Sequence, residues 1–299
     1  MKAAVFGAGK YGKALKRGLE KYCGVEILAI CDNDPQKWDK EIDDIRITSP
    51  DRLSELSPDK VFISLMSGET FVEAVRQLVE MGIPEEKLVI MKTDHAYQDA
   101  FIELDPVRKN WIKSFADYAR ERGLKGSVAE CGVFQGETAM FINKYWSDRT
   151  LYLCDTFEGF DRNDVAYENT NFTAFEKGTF GFQSFREETS EMLIKYVKAR
   201  MPYPEKIVIC QGYFPESAEG IDDRFCFINL DMDLYQPQLE GLRFFWDKME
   251  KGGVILLHDY FHPDLPGVKA AVADFEREIS MELPKVPIGD ECSIAVIKW

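Results

Sequence analysis

Asp231-Met-Asp-Leu-Tyr235 and His258-Asp259-Tyr260 gather three carboxylates and an imidazole into two short stretches. Carboxylate oxygens hold hard divalent cations, and an imidazole beside them can ligate a cation or take a proton. Each stretch follows an apolar run: Arg224 to Leu230 before the first, Gly253 to Leu257 before the second. Such runs read as buried parallel strands, and open α/β sheets bind ligands where adjacent strands end. Acids at strand ends also cap the helices that follow. Two clusters, with a glycine turn and another strand-end acid upstream, favour an active site. Asp231, Asp259 and His258 are the candidate metal ligands. Asp231 and His258 are the candidate catalytic residues, His258 as a base that would fail below about pH 6.5. Asp231 is preferred to Asp233 because it ends the apolar run directly. Asp233 would turn the same way only if the chain stayed extended. His95 and His262 are not assigned a role.

Two glycine turns precede these clusters. Gly7-x-Gly9-x-x-Gly12, with Asp32 further on, meets the dinucleotide fingerprint. Glycine permits the tight turn, the helix N-terminus favours an anion, and Asp32 could hold ribose hydroxyls. The βαβ alternation around it ends near Thr93, short of the second half that a full dinucleotide domain needs. A structural or regulatory module is therefore the favoured reading there. The second turn, Glu130-Cys-Gly132-Val-Phe-Gln-Gly136, begins with an acid and spaces its glycines four apart. It lacks the close-set pair that accommodates a pyrophosphate, and suits an amine-bearing, cationic ligand such as S-adenosylmethionine. Glu130, Gly132 and Gly136 are its expected contacts. Asp155 ends the next strand, where a ribose diol would be gripped, and Gly212 ends the one after.

The elements that must position these residues are those of an α/β chain with two Rossmann-like units. Strands are expected at 2–6, 25–31, 61–65 and 88–91, and again at 127–130, 150–154, 206–210, 225–230, 254–257 and 292–298. The expected division is a small βαβ module at 1–95, a linker helix within 96–125, and a larger domain at 126–299. Trp111, Phe115 and Tyr118 share one face of the linker helix, which suits packing. Residues 161–185 fit neither period and are rich in aromatics, so they are expected as a lid or substrate loop.

Residues 126–299 resemble the macrocin O-methyltransferase family. The resemblance rests on Val128–Gly136, Leu151–Phe160, Gly212–Ser217, Phe227–Tyr235, Gly252–Tyr260 and Gly267–Phe275. It implies a seven-stranded S-adenosylmethionine-dependent methyltransferase sheet and O-methylation of a hydroxyl on a sugar or glycosylated metabolite. It also implies a divalent metal, typically magnesium. Metal-dependent members commonly carry paired acids where this chain has His258-Asp259, and a neutral imidazole suits magnesium poorly. Manganese is the alternative. The N-terminal part resembles, more loosely, small Rossmann-like modules fused to sugar-modifying enzymes.

Composition narrows the partners. The 299 residues carry a net charge of −15, which argues against nucleic acid and against anionic lipid. No apolar run is long enough to span a membrane. The seven cysteines form no CxxC pair, which fits buried thiols in a reduced, cytoplasmic setting. Homo-oligomerisation through the N-terminal module stays open. Two other functions compete. One is an NAD-dependent oxidoreductase or epimerase using the N-terminal fingerprint, weakened by the short domain and the absence of a Tyr-x-x-x-Lys pair. The other is a nucleotide-sensing or scaffold protein, opposed by the retained acids Glu130, Asp155, Asp231 and Asp259.

Overall fold

The computed structural model describes residues 1–64, 68–90, 95–172 and 187–299. The chain forms two compact units, Met1–Pro106 and Val107–Trp299. Among the described residues no helix is long and apolar enough to cross a membrane.

The first unit runs β1 (Lys2–Phe6), α1 (Lys10–Cys23), β2 (Glu26–Cys31), β3 (Glu41–Ile42), β4 (Ile45–Thr48), α2 (Leu53–Leu56), β5 (Lys60–Ile63), α3 (Gly68–Glu80) and β6 (Leu88–Ile90). Its sheet has the order β3-β4-β2-β1-β5-β6, parallel except for the β3–β4 hairpin. The hairpin is too short and polar to show in the hydrophobic pattern. A 3₁₀ segment, His95–Leu104, then lies along α1. Gly18 makes that approach possible: a Cβ there would stand 1.9 Å from the carbonyl oxygen of Ala100. Gly12 is needed for a similar reason, since its Cβ would meet the oxygen of Gly7 at 1.8 Å.

The second unit runs α4 (Pro106–Glu121), β7 (Ser127–Cys131), α5 (Glu137–Tyr145), β8 (Leu151–Asp155), α6 (Arg162–Phe172), α7 (Glu187–Arg200), β9 (Ile207–Gln211), β10 (Phe225–Leu230), α8 (Tyr235–Trp246), β11 (Met249–Leu257), α9 (Pro266–Glu278), β12 (Lys285–Pro287) and β13 (Ile294–Ile297). Seven strands form one sheet in the order β12-β13-β11-β10-β7-β8-β9, with β13 antiparallel to both neighbours. The α/β class and the seven-stranded sheet agree with the sequence reading.

Two expectations change. The stretch 96–125 is divided between the units. Its helix, α4, belongs to the second unit: Phe115 packs on Trp146 and Phe227, which stack with centroids 4.7 Å apart. Burying each such side chain contributes about 1.5–3 kcal/mol. The expected irregular stretch also begins as a helix. α6 buries Asp164 and Glu168 rather than an apolar stripe, so no hydrophobic period announces it. The rest of that expected lid, 173–185, lies outside the described residues.

Candidate active site

Four strand ends converge. Adjacent β10 and β11 bring Asp231 and His258 side by side, and β7 and β8 add Glu130 and Asp155. A cavity of about 540 Å³ opens over them, lined by Glu130, Gly132, Asp155, Gly212, Asp231 and Asp233 among others. The acids Glu137, Asp161 and Asp164 also face it, and its described lining holds no Lys, Arg or His. Gly136, His258 and Asp259 lie outside that lining. Gly136 starts α5 in the left-handed region (φ 73°). Gly132 (φ 79°) leaves no room for a side chain, since its Cβ would stand 1.8 Å from the carbonyl oxygen of Asp231.

Asp155 holds the glycine turn in place. One carboxylate oxygen accepts from the N–H groups of Val133 (2.6 Å) and Phe134 (2.9 Å), the other from Phe157 (2.7 Å). About one of a carboxylate's four acceptor directions then remains for a ligand. Glu130 is buried and accepts from Asn229 at 2.9 Å, while its Oε2 has no partner. Burial, reinforced by the charge of Asp231, pushes its pKa well above the ordinary carboxylate range.

Asp231 stands at the centre. Arg108 of α4 donates to its Oδ2 at 2.7 Å and to Asn229 at 3.0 Å. His258 Nδ1 lies 3.0 Å from Asp231 Oδ1 and 2.9 Å from Asp259 Oδ2. Burial alone would raise the Asp231 pKa; the charges of His258 and Arg108 override it and hold the carboxyl well below its usual range. Asp233 and Asp259 both adopt positive φ, 60° and 59°, a strained geometry typical of functional sites. The turn brings oxygens of Asp231, Asp233 and Asp259 within 4.8 Å of one another. Burial and the charges of Asp231 and Asp259 push the Asp233 pKa well up.

The structure thus unites Asp231, Asp259 and His258 and adds Asp233. The chain does not stay extended past Asp231, and a left-handed turn at Asp233, rather than strand alternation, brings the two carboxylates together. A base role for His258 is not what this geometry supports. Burial alone would lower its pKa, but Asp231 and Asp259 override that and push it up to about 12. The two carboxylates thus favour the protonated ring, which works against a base role. Arg108 and Cys292 carried no sequence signal of their own. Arg108 lies 123 residues from Asp231. Cys292 is brought beside Asp259 by the antiparallel β11–β13 register, in which Leu257 faces Ile294.

α6 is fastened to the acid-bearing loops. Glu168 is fully buried, and its Oε2 accepts from the N–H of Tyr235 at 2.9 Å, at the start of α8. Gly267, at the start of α9, donates to the same carboxylate and has no room for a Cβ beside it. Two helix N-termini thus share one anion. Asp164 accepts from the Tyr213 hydroxyl at 3.0 Å, and burial pushes its pKa up to about 6. A carboxyl with a raised folded pKa binds protons in the folded state first. Stability should therefore fall as pH rises from about 4 through 6, by on the order of 2 kcal/mol. Asp164→Asn should flatten that window in melting curves taken between pH 4 and 7. An unchanged slope would assign the dependence to another group.

The comparisons with known proteins agree with this architecture. Residues 1–89 match the family described as C2185-like, N-terminal. No curated protein matches the chain. Among solved structures, the O-methyltransferase NovP is similar at 19% identity, covering 64% of this chain and 79% of its own, with a TM-score of 0.52. The calicheamicin methyltransferase CalS11 is similar at 17% identity, covering 79% and 95%, with a TM-score of 0.51. At these identities the likeness speaks for the fold. The family described as Macrocin-O-methyltransferase (TylF) matches residues 107–294, most of the chain and nearly all of its second unit, and the chain belongs to that family of O-methyltransferases.

Proposed function

We propose that the second unit transfers a methyl group from S-adenosylmethionine to a hydroxyl of a sugar or glycosylated metabolite, with a divalent cation at the strand-end acids. The observation that carries the cofactor is electrostatic. The cavity over the glycine turn is lined by carboxylates and by no basic side chain among the described residues, and Glu130 Oε2 has no partner within it. A ligand bearing a sulfonium and an ammonium suits such a wall; a pyrophosphate does not. An ammonium would satisfy Glu130, and the remaining acceptor direction of Asp155 would take a ribose hydroxyl. The sugar acceptor is what the family resemblance implies.

The donor set fits a cation. Asp231, Asp233 and Asp259 offer oxygens, which suit magnesium or manganese, and His258 stands beside two of them. When bound, the ion lowers the pKa of a nearby hydroxyl. Arg108 occupies Asp231 Oδ2 and so leaves Oδ1 directed at His258 and the site. In the first unit, by contrast, Asp32 is already engaged by the N–H groups of Ala8 (2.7 Å) and Asp34 (2.9 Å) and by Lys37 (2.9 Å). One of these donors is the Lys37 cation, which already balances the carboxylate's charge.

Calorimetric titration tests the reading. S-adenosylmethionine should bind the full chain, and Asp155→Ala should weaken it at least tenfold, about 1.4 kcal/mol. Binding of NAD instead, or an affinity unmoved by Asp155→Ala, would remove the assignment.

A further inference from the structure

Phe134 stands where the backbone favours glycine. It lies in the turn after β7, between Gly132 and Gly136, at φ 48°. L side chains rarely adopt that left-handed region, and bulky ones least of all. Nor does the core hold the ring. The residue is 53% exposed, and among the described residues only Trp299 is a more exposed aromatic. It lines the cavity over the strand ends instead. Neither local conformation nor burial accounts for a phenylalanine here, and strain of this kind gathers where a ligand is held.

The backbone beneath the ring is pinned. The Phe134 N–H donates to Asp155 Oδ2 at 2.9 Å, beside that of Val133 at 2.6 Å. The Gly136 N–H closes the turn on the Val133 carbonyl at 2.7 Å. In the sheet, β7 has β8 on one side and β10 on the other. The Phe134 turn is tied to the β8 side, at Asp155, whereas Asp231 stands on the β10 side. On the cofactor reading above, on which this inference rests, Asp155 takes the ribose. The ring therefore stands by the adenosine and away from the methyl group that is transferred.

We propose that Phe134 is a cofactor-binding residue whose ring closes over the adenosine of S-adenosylmethionine. Aromatic side chains stack on nucleoside rings through their faces, and the contact removes apolar surface from water on both partners. The ring is exposed without the ligand and covered with it, so its hydrophobic gain is realised only on binding. S-adenosylhomocysteine carries the same adenosine, so the ring should hold substrate and product alike. Such uniform binding acts on KM and leaves kcat nearly untouched.

Calorimetry on the full chain, with S-adenosylmethionine and S-adenosylhomocysteine as the probes, tests this. Phe134→Gly should weaken both by about tenfold or more, and to the same degree within about threefold. The melting temperature of the unliganded protein should stay level or rise, because glycine relaxes the left-handed backbone. Phe134→Tyr, which keeps the ring, should bind within about threefold of wild type. In turnover, Phe134→Gly should raise the KM for S-adenosylmethionine and keep kcat within about threefold. Unchanged affinity in Phe134→Gly overturns the proposal. So does a weakened affinity that comes with a lower melting temperature, which would make the ring a packing element of the fold. A wild type that binds neither probe would instead remove the cofactor reading, and this inference with it.

Discussion

Asp231→Asn is expected to lower methyl transfer by roughly a thousandfold or more, about 4 kcal/mol in barrier. Asparagine keeps the shape and an oxygen that can still accept from Arg108, which donates at 2.7 Å in the wild type. What it removes is the charge. That charge faces His258 on one side and the cavity on the other, and it raises the proton affinity of Glu130, Asp233 and His258 around it. Without it the oxygen set loses a ligand, and Asp233 loses one of the two charges that raise its pKa. The cation's oxygen set and the charge balance of its neighbours thus change together, which is why a single isosteric change should have so large an effect. S-adenosylmethionine affinity should change little, because Glu130 and Asp155 stand on other strands. The measurement is the rate of S-adenosylhomocysteine formation with glycoside and nucleotide-sugar acceptors, magnesium and manganese being supplied in turn after chelation. Activity near wild type in Asp231→Asn, or full activity in chelator, would leave neither cation nor Asp231 in the mechanism.

The strand-end acids were legible because each closes an apolar run. Glu130, Asp155 and Asp231 end buried strands, Asp259 follows one closely, and the crossover connections of a parallel sheet bring such ends to one edge. What stayed hidden follows from contacts that no local pattern encodes. Asp233 depends on a residue leaving the extended region, at φ 60°. Cys292 reads as one more thiol in an apolar run, and only the pairing of two antiparallel strands places it by Asp259. α6 escaped because its inward face is built from carboxylates that bind helix N-termini and a tyrosine, so the usual apolar stripe is absent. Arg108 sits in a helix whose aromatic face is plain in the sequence. A 3.6-residue period tells which face is buried but not what a buried guanidinium will meet.

That last residue decides where the catalytic unit begins. A chain shortened to start at Asp105 should fold cooperatively and bind S-adenosylmethionine. One that starts at Gly126, where the sequence pattern alone places the domain, should not fold. The difference is α4. Removing it strips Ile112 and Phe115 from the core and exposes the Phe227 and Trp146 faces against which Phe115 packs. At about 1.5–3 kcal/mol for each buried side chain, these two alone contribute about 3–6 kcal/mol. It also takes away Arg108, leaving Asp231 beside the buried Glu130 without its guanidinium partner. Breaking a buried ion pair by removing one member costs about 3–5 kcal/mol. The sum is comparable with the roughly 5–15 kcal/mol by which whole domains are stable. Arg108→Ala in the full chain separates the two contributions, and should cost about 3–5 kcal/mol while α4 remains packed. Thermal melting and calorimetry on the three proteins make the comparison. A Gly126 chain that melts like the Asp105 chain would show that α4 is a dispensable connector and that the charge of Asp231 is balanced by His258 alone.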